Sequence, residues 1–194
     1  MACFGTSIPL VQYTTFESNA AHNLGGGLFS DYSAVRCLRC DFVGNNIISY
    51  GSEGGGAALS FANGALFEYC TFSENGTAQT IVGGGIYVNA CNITLDGCDF
   101  IDNAGGVAGG VRFTSFAGGT VHACTFYGNV SEWGSVAGIS CYQSSNPTIT
   151  NCTFSGNTAA EDGGAISSDT SLPDITGCMF YSNSGGEGGA LFNL

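Results

Sequence analysis

Hydrophobic positions recur along this chain with a fixed phase. The pair F-x-x-N occurs seven times, as Phe16 and Asn19, Phe42 and Asn45, Phe72 and Asn75, Phe100 and Asn103, Phe126 and Asn129, Phe154 and Asn157, and Phe180 and Asn183. The copies follow one another at intervals of 26, 30, 28, 26, 28 and 26 residues. Two residues before each Phe stands Thr14, Cys40, Cys70, Cys98, Cys124, Cys152 or Cys178, and three residues further back Val11, Cys37, Phe67, Leu95, Val121, Ile149 or Ile175. Alternation with period two puts Cys and Phe on one face of a strand, and the three-residue step before Cys predicts a bend between two short strands. All three prolines, Pro9, Pro147 and Pro173, share one position two residues earlier still.

Between each Asn and the next strand pair sits a glycine block running into an aliphatic residue, as in GGGL at 25–28, GGGI at 83–86, AGGV at 108–111, VAGI at 136–139, GGAI at 163–166 and GGAL at 188–191. One repeat thus reads as glycine turn, short strand, polar turn, strand, bend, strand and Asn, with no amphipathic stripe of helical period. Short strands returning every ~27 residues without helical crossovers predict a coil that stacks on itself, an all-β, single-stranded parallel β-helix of about seven coils of 26–30 residues. At roughly 4.8 Å per coil the rod is about 34 Å long. Equivalent residues then stack as Phe, Cys and aliphatic ladders, each buried Phe contributing about 1.5–3 kcal/mol. An inward Asn ladder is expected at a tight turn, where the amide bonds backbone groups and the Asn of the next coil and tolerates left-handed dihedrals. Glycine is expected to supply positive φ at the opposite corner.

Composition narrows the function classes. Glycine is 32 of 194 residues, yet there is no Gly-X-Y period and there are only three prolines, which excludes collagen. With three cations, Arg36, Arg39 and Arg112, against 15 acids and a net charge of -12, the chain cannot build a basic stripe, so neither nucleic acid nor an anionic membrane is an expected partner. No apolar run reaches the ~18–20 residues of a bilayer span, and the opening residues lack the pattern of a signal peptide. Ten cysteines in an extracellular chain ordinarily form disulfides. Here, stacked cysteines with parallel Cβ vectors sit farther apart than the ~3.8 Å Cβ separation a disulfide prefers, so a buried ladder of free thiols is expected. Cys37 and Cys40 have C-x-x-C spacing but occupy core positions, not a zinc site.

The combination of C-x-F-x-x-N with GGAI and GGAL resembles the FxxN and GGA[ILV] repeats of the chlamydial polymorphic outer membrane proteins and, more broadly, right-handed parallel β-helix proteins with a pectin-lyase-like fold. F-x-x-N matches in all seven coils, and strict GGA[ILV] at 163–166 and 188–191. The resemblance implies a right-handed superhelix and an adhesive passenger domain, extracellular or at the cell surface.

Candidate chemistry lies in the same register. The outward position two residues before the Cys ladder holds Gln12, Leu38, Glu68, Asp96, His122, Thr150 and Thr176. Glu68, Asp96 and His122 are thus expected on successive coils, with Asp99 and Asp102 nearby. Such a row suits acid/base work on a glycosidic bond, and Asp96, Asp99 and Asp102 are candidate calcium ligands, while a solvated acidic face has the same composition. No Asp-Asp pair with Arg-x-Lys and no basic residue beside an acidic cluster completes a polysaccharide lyase or hydrolase set, and no cofactor is expected beyond a candidate calcium ion. Of four glycosylation sequons, those at Asn75 and Asn129 belong to the inward ladder, leaving Asn92 and Asn151 as candidate acceptors. Threonine columns (Thr15, Thr71, Thr125, Thr153; Thr94, Thr120, Thr148) suggest an ice-binding face, which Asp41, Asp99 and Met179 interrupt. Trp133, Tyr127 and Tyr181 are candidate sugar-stacking aromatics.

Met1 and Cys3 align with Ile139 and Cys141, and GGAL at 188–191 returns to the phase of Met1. Residues 1–194 are therefore expected to be one β-helix module of a longer β-helix, its ends covered by further coils of the same or another chain. The expected function is a non-enzymatic structural or adhesive β-helix of a surface protein or filament, with surface glycans or proteins as partners. The alternative is a carbohydrate-active enzyme or glycan-binding module.

Overall fold

Each coil lays down three short strands, and in the computed structural model, which describes residues 1–49, 52–77, 81–134 and 136–194, equivalent strands pair in parallel into three long sheets. Sheet A has eight strands, from Ala2–Phe4 to Leu191–Asn193, and contains the residues that follow the glycine blocks. Sheet B runs over seven strands from Leu10–Gln12 to Asp174–Thr176, and sheet C over seven from Thr15–Glu17 to Met179–Tyr181. Shorter pairings join the segments after Asn, and no helix occurs among the described residues.

The interior follows the predicted ladders. The seven Phe rings of sheet C stack from Phe16 to Phe180 with centroids 4.5–5.0 Å apart and planes 2–9° from parallel. Phe67, from sheet B, meets Phe42 and Phe72 edge-on. Cys40, Cys70, Cys98, Cys124 and Cys152 are buried and Cys178 half-buried, and all ten cysteines are free thiols. The backbone N–H of Cys98 donates to Sγ of Cys124 at 3.4 Å, and Cys98 Sγ donates to the Phe67 carbonyl at 3.3 Å. Cys37 and Cys40 are both fully buried in this core.

The corners differ from expectation in an informative way. The bend before Cys is made by a residue at φ between 49° and 66°, and that residue is glycine only at Gly97 and Gly177; elsewhere it is Tyr13, Arg39, Tyr69, Ala123 or Asn151. The ladder asparagines do not take the left-handed conformation. The residue before each of them does, as at Ser18, Glu74, Asp102 and Ser182. In the glycine blocks, Gly25, Gly54 and Gly83 have positive φ, whereas Ala108 and Val136 in the same place do not, which is why AGGV and VAGI are tolerated there.

Asparagine closes the turn after sheet C. In Asn75 both the backbone N–H and Nδ2 donate to Oδ1 of Asn103 at 3.0 Å, and Nδ2 also donates to the Phe42 carbonyl at 2.7 Å. The same pattern links Asn19, Asn45, Asn75, Asn103, Asn129, Asn157 and Asn183. From Asn45 to Asn157 these side chains are fully buried, which removes the sequons at Asn75 and Asn129 from solvent.

The thiols predict an alkaline limit. Burial pushes the Cys91 thiol up to about 11 and the Cys141 thiol up to about 12, from an ordinary 9.0. Above pH 9 the unfolded chain has lost these protons while the folded chain keeps them, so stability is complete below that value and falls as pH rises through the folded values. A urea midpoint measured against pH should stay level to about pH 8 and then drop, Cys91 alone removing about 2 kcal/mol by pH 11. A midpoint that stays level to pH 11 would contradict buried, protonated thiols.

Candidate functional site

Sheet B presents the predicted acidic row. Register pairs Leu38 with Glu68, Glu68 with Asp96, Asp96 with His122 and His122 with Thr150, so the three candidates occupy successive coils of one column. All three side chains are half-buried, and His122 Nδ1 lies 2.9 Å from Thr150 Oγ1. The neighbouring column reads Leu10, Arg36, Leu66, Thr94, Thr120, Thr148 and Asp174.

The candidate calcium ligands do not come together. Asp96 is on sheet B, Asp99 pairs with Thr71 and Thr125 on sheet C, and Asp102 stands at the corner before Asn103 at φ 51°. Among the described residues no three His, Cys, Asp or Glu side chains converge closely enough to hold a metal ion. Sheet C carries the outward sequence Thr15, Asp41, Thr71, Asp99, Thr125, Thr153 and Met179, the interrupted threonine column. Asn92 and Asn151 are exposed, as are Trp133, Tyr127 and Tyr181.

Exposed aromatics flank the N-terminal half of sheet B on both corners. On one edge Tyr32 and Phe61 stack at 4.8 Å with planes 12° apart. On the other, the Arg39 guanidinium lies 5.4 Å over the Tyr69 ring, with Tyr13 exposed one coil earlier. Tyr13, Arg39 and Tyr69 each stand three residues before a repeat Phe, in the FxxN phase, whereas Tyr32 and Phe61 follow the ends of two sheet A strands; only the backbone turns bring the two sets to the two edges of one sheet.

A second constellation occupies the outer side of sheet A. Ala58, Tyr87, Ser140 and Ser167 point outward there yet are buried, between 0% and 6% exposed. Arg112 lies in the same row, between Tyr87 and Ser140. Its guanidinium sits 4.9 Å over the Tyr142 ring and donates from Nη1 to Ser140 Oγ at 3.4 Å. Burial lowers the Arg112 pKa, and the nearby Tyr87, Tyr142, Glu53 and Asp169 partly restore it. Burial also raises the Glu53 carboxyl, which is hydrogen-bonded to Tyr87. The available signal was the rarity of cations: an isolated arginine in an acidic chain, with tyrosines one coil to either side.

A family model for the right handed beta helix region matches residues 4–132 and again 79–193. No curated protein and no solved structure matches the chain. Three parallel sheets, seven turns and continuous internal ladders agree with that match along its whole extent, and the chain belongs to the right-handed β-helix family.

Proposed function

We propose that the chain is a non-enzymatic structural or adhesive β-helix, extracellular or at the cell surface, built into a larger surface protein or filament. The observation that carries this reading is the patch on the N-terminal half of sheet B. Leu10, Tyr13, Tyr32, Phe61 and Tyr69 are exposed around half-buried Leu38 and Leu66, and two of the chain's three cations, Arg36 and Arg39, lie among them. A cluster of exposed aromatic and aliphatic side chains supports an interaction site, and the aromatic and arginine residues are the types that dominate binding hot spots. The resemblance of C-x-F-x-x-N and GGA[IL] to the polymorphic outer membrane protein repeats supports the adhesive form. Further coils are proposed to cover the ends, where Phe16 and Phe180 are only half-buried while the Phe residues between them are fully buried.

The alternative, a glycan-binding or carbohydrate-active module, is favoured by the registered column of Glu68, Asp96 and His122 beside Tyr69. One experiment separates the two. Chain-coated beads are tested for adhesion to cells and to a glycan array, with turnover of neutral and acidic polysaccharides followed in parallel. Adhesion that drops at least tenfold in Y32S/F61S/Y69S but is kept in Asp96→Ala, without turnover, supports the adhesive reading. Turnover lost in Asp96→Ala would replace it with the enzymatic one.

A further inference from the structure

The outer side of sheet A contains a pocket of about 140 Å³, whose lining includes Arg112, Ser140 and Tyr142 together with Asp162 and Asp169. Val107 and Phe192 add an apolar wall. The Arg112 guanidinium has five N–H donors; among the described residues it makes one long bond to Ser140 and lies over the face of Tyr142, and Tyr87, Glu53 and Asp169 are near enough to act on its charge. The one long bond to Ser140 leaves most of this fork for other partners, and Arg112 lines the pocket. We infer that this pocket binds a small zwitterion of the α-amino-acid class, with its carboxylate on Arg112, its ammonium on Asp162 and Asp169, and its side chain against Val107 and Phe192.

Charge balance selects this class. A simple anion would gain the guanidinium, but Asp162, Asp169 and Glu53 would repel it. A simple cation would gain the carboxylates and meet the guanidinium. A molecule carrying both charges gives each group a partner, and a carboxylate matches the planar guanidinium fork in a bidentate bond. Size agrees with it. A pocket of about 140 Å³ is of the scale of a small amino acid.

The test is isothermal titration of the full chain with glycine, L-alanine and L-leucine, with acetate, ethylamine and glucose as controls. At least one amino acid should bind at millimolar concentration or tighter, and acetate and ethylamine at least ~tenfold more weakly. Arg112→Met and Asp169→Asn should each weaken amino-acid binding at least ~tenfold, with the far-UV circular dichroism of the wild type. Should Arg112→Met fail to fold, Asp169→Asn together with Phe192→Ala carries the test, since neither residue belongs to the inner ladders. Absence of binding by every amino acid, equal binding of glucose, or unchanged affinity in a folded variant overturns the assignment.

Discussion

Replacing Asn103 by alanine should destabilise the protein by about 3–5 kcal/mol. The Asn103 side chain is fully buried and bonds in both directions along the rod. Its Oδ1 accepts from the backbone N–H and from Nδ2 of Asn75, both at 3.0 Å. Its Nδ2 donates to Asn129 Oδ1 at 3.0 Å and to the Phe72 carbonyl at 2.8 Å. Truncation strands two donors and a carbonyl where water does not reach, and each unmade bond of this kind costs about 1–3 kcal/mol. Asn103→Asp should be no better, because a carboxylate cannot donate to Phe72 and buries a charge. Asn19 is exposed, and Asn19→Ala should cost about 1 kcal/mol or less, since solvent can replace what is lost. Urea unfolding followed by circular dichroism measures all three, and equal losses at positions 19 and 103 would mean that the ladder bonds are exchangeable with water.

Phe100→Ala should cost a similar amount, about 3–5 kcal/mol, for a different reason. Its ring is fully buried between those of Phe72 and Phe126, at 5.0 and 4.7 Å, so removal leaves a cavity and breaks two aromatic contacts. The half-buried Phe16 should lose about 1–2 kcal/mol on the same change. Phe100→Leu, which fills most of the space, should recover more than half of the loss. Phe100 and Asn103 belong to the same coil, and their effects should not simply add, because collapse around one site relaxes the other. A thermal or urea series in which Phe100→Ala and Phe16→Ala are equally destabilising would contradict the packing described here.

The strands and ladders were legible because their cause is periodic. Side chains such as Phe100, Cys98 and Leu95 must return to the same place once per coil, and any sequence that meets this condition shows it as a repeat. The columns on sheet B followed from the same phase, so Glu68, Asp96 and His122 could be placed on successive coils without coordinates. The corners were less legible. Arg39, Tyr69 and Ala123 adopt positive φ although none is a residue type that signals it, and the parallel pairing on either side imposes their conformation. Asp102 could not be separated from Asp96 and Asp99 for the same reason, since only the corner geometry sends it away from them. Least legible was the outer side of sheet A. Tyr87, Arg112 and Ser140 look like an exposed alternating face, and their burial depends on segments after the Asn positions whose lengths vary from coil to coil.

The asparagine ladder also gives the rod an electrical direction. Every side-chain carbonyl from Asn45 to Asn183 accepts from the preceding coil, so these amide dipoles align along the axis with their negative ends toward Asn19 and their positive ends toward Asn183. Aligned hydrogen-bonded dipoles polarise one another, so each added coil strengthens its neighbours, in the way peptide dipoles sum along an α-helix. At the Asn183 end the ladder offers donors, and at the Asn19 end an acceptor. A further coil that continues this ladder is therefore oriented before it makes any apolar contact, and growth of such a rod has an inherent sense, head to tail.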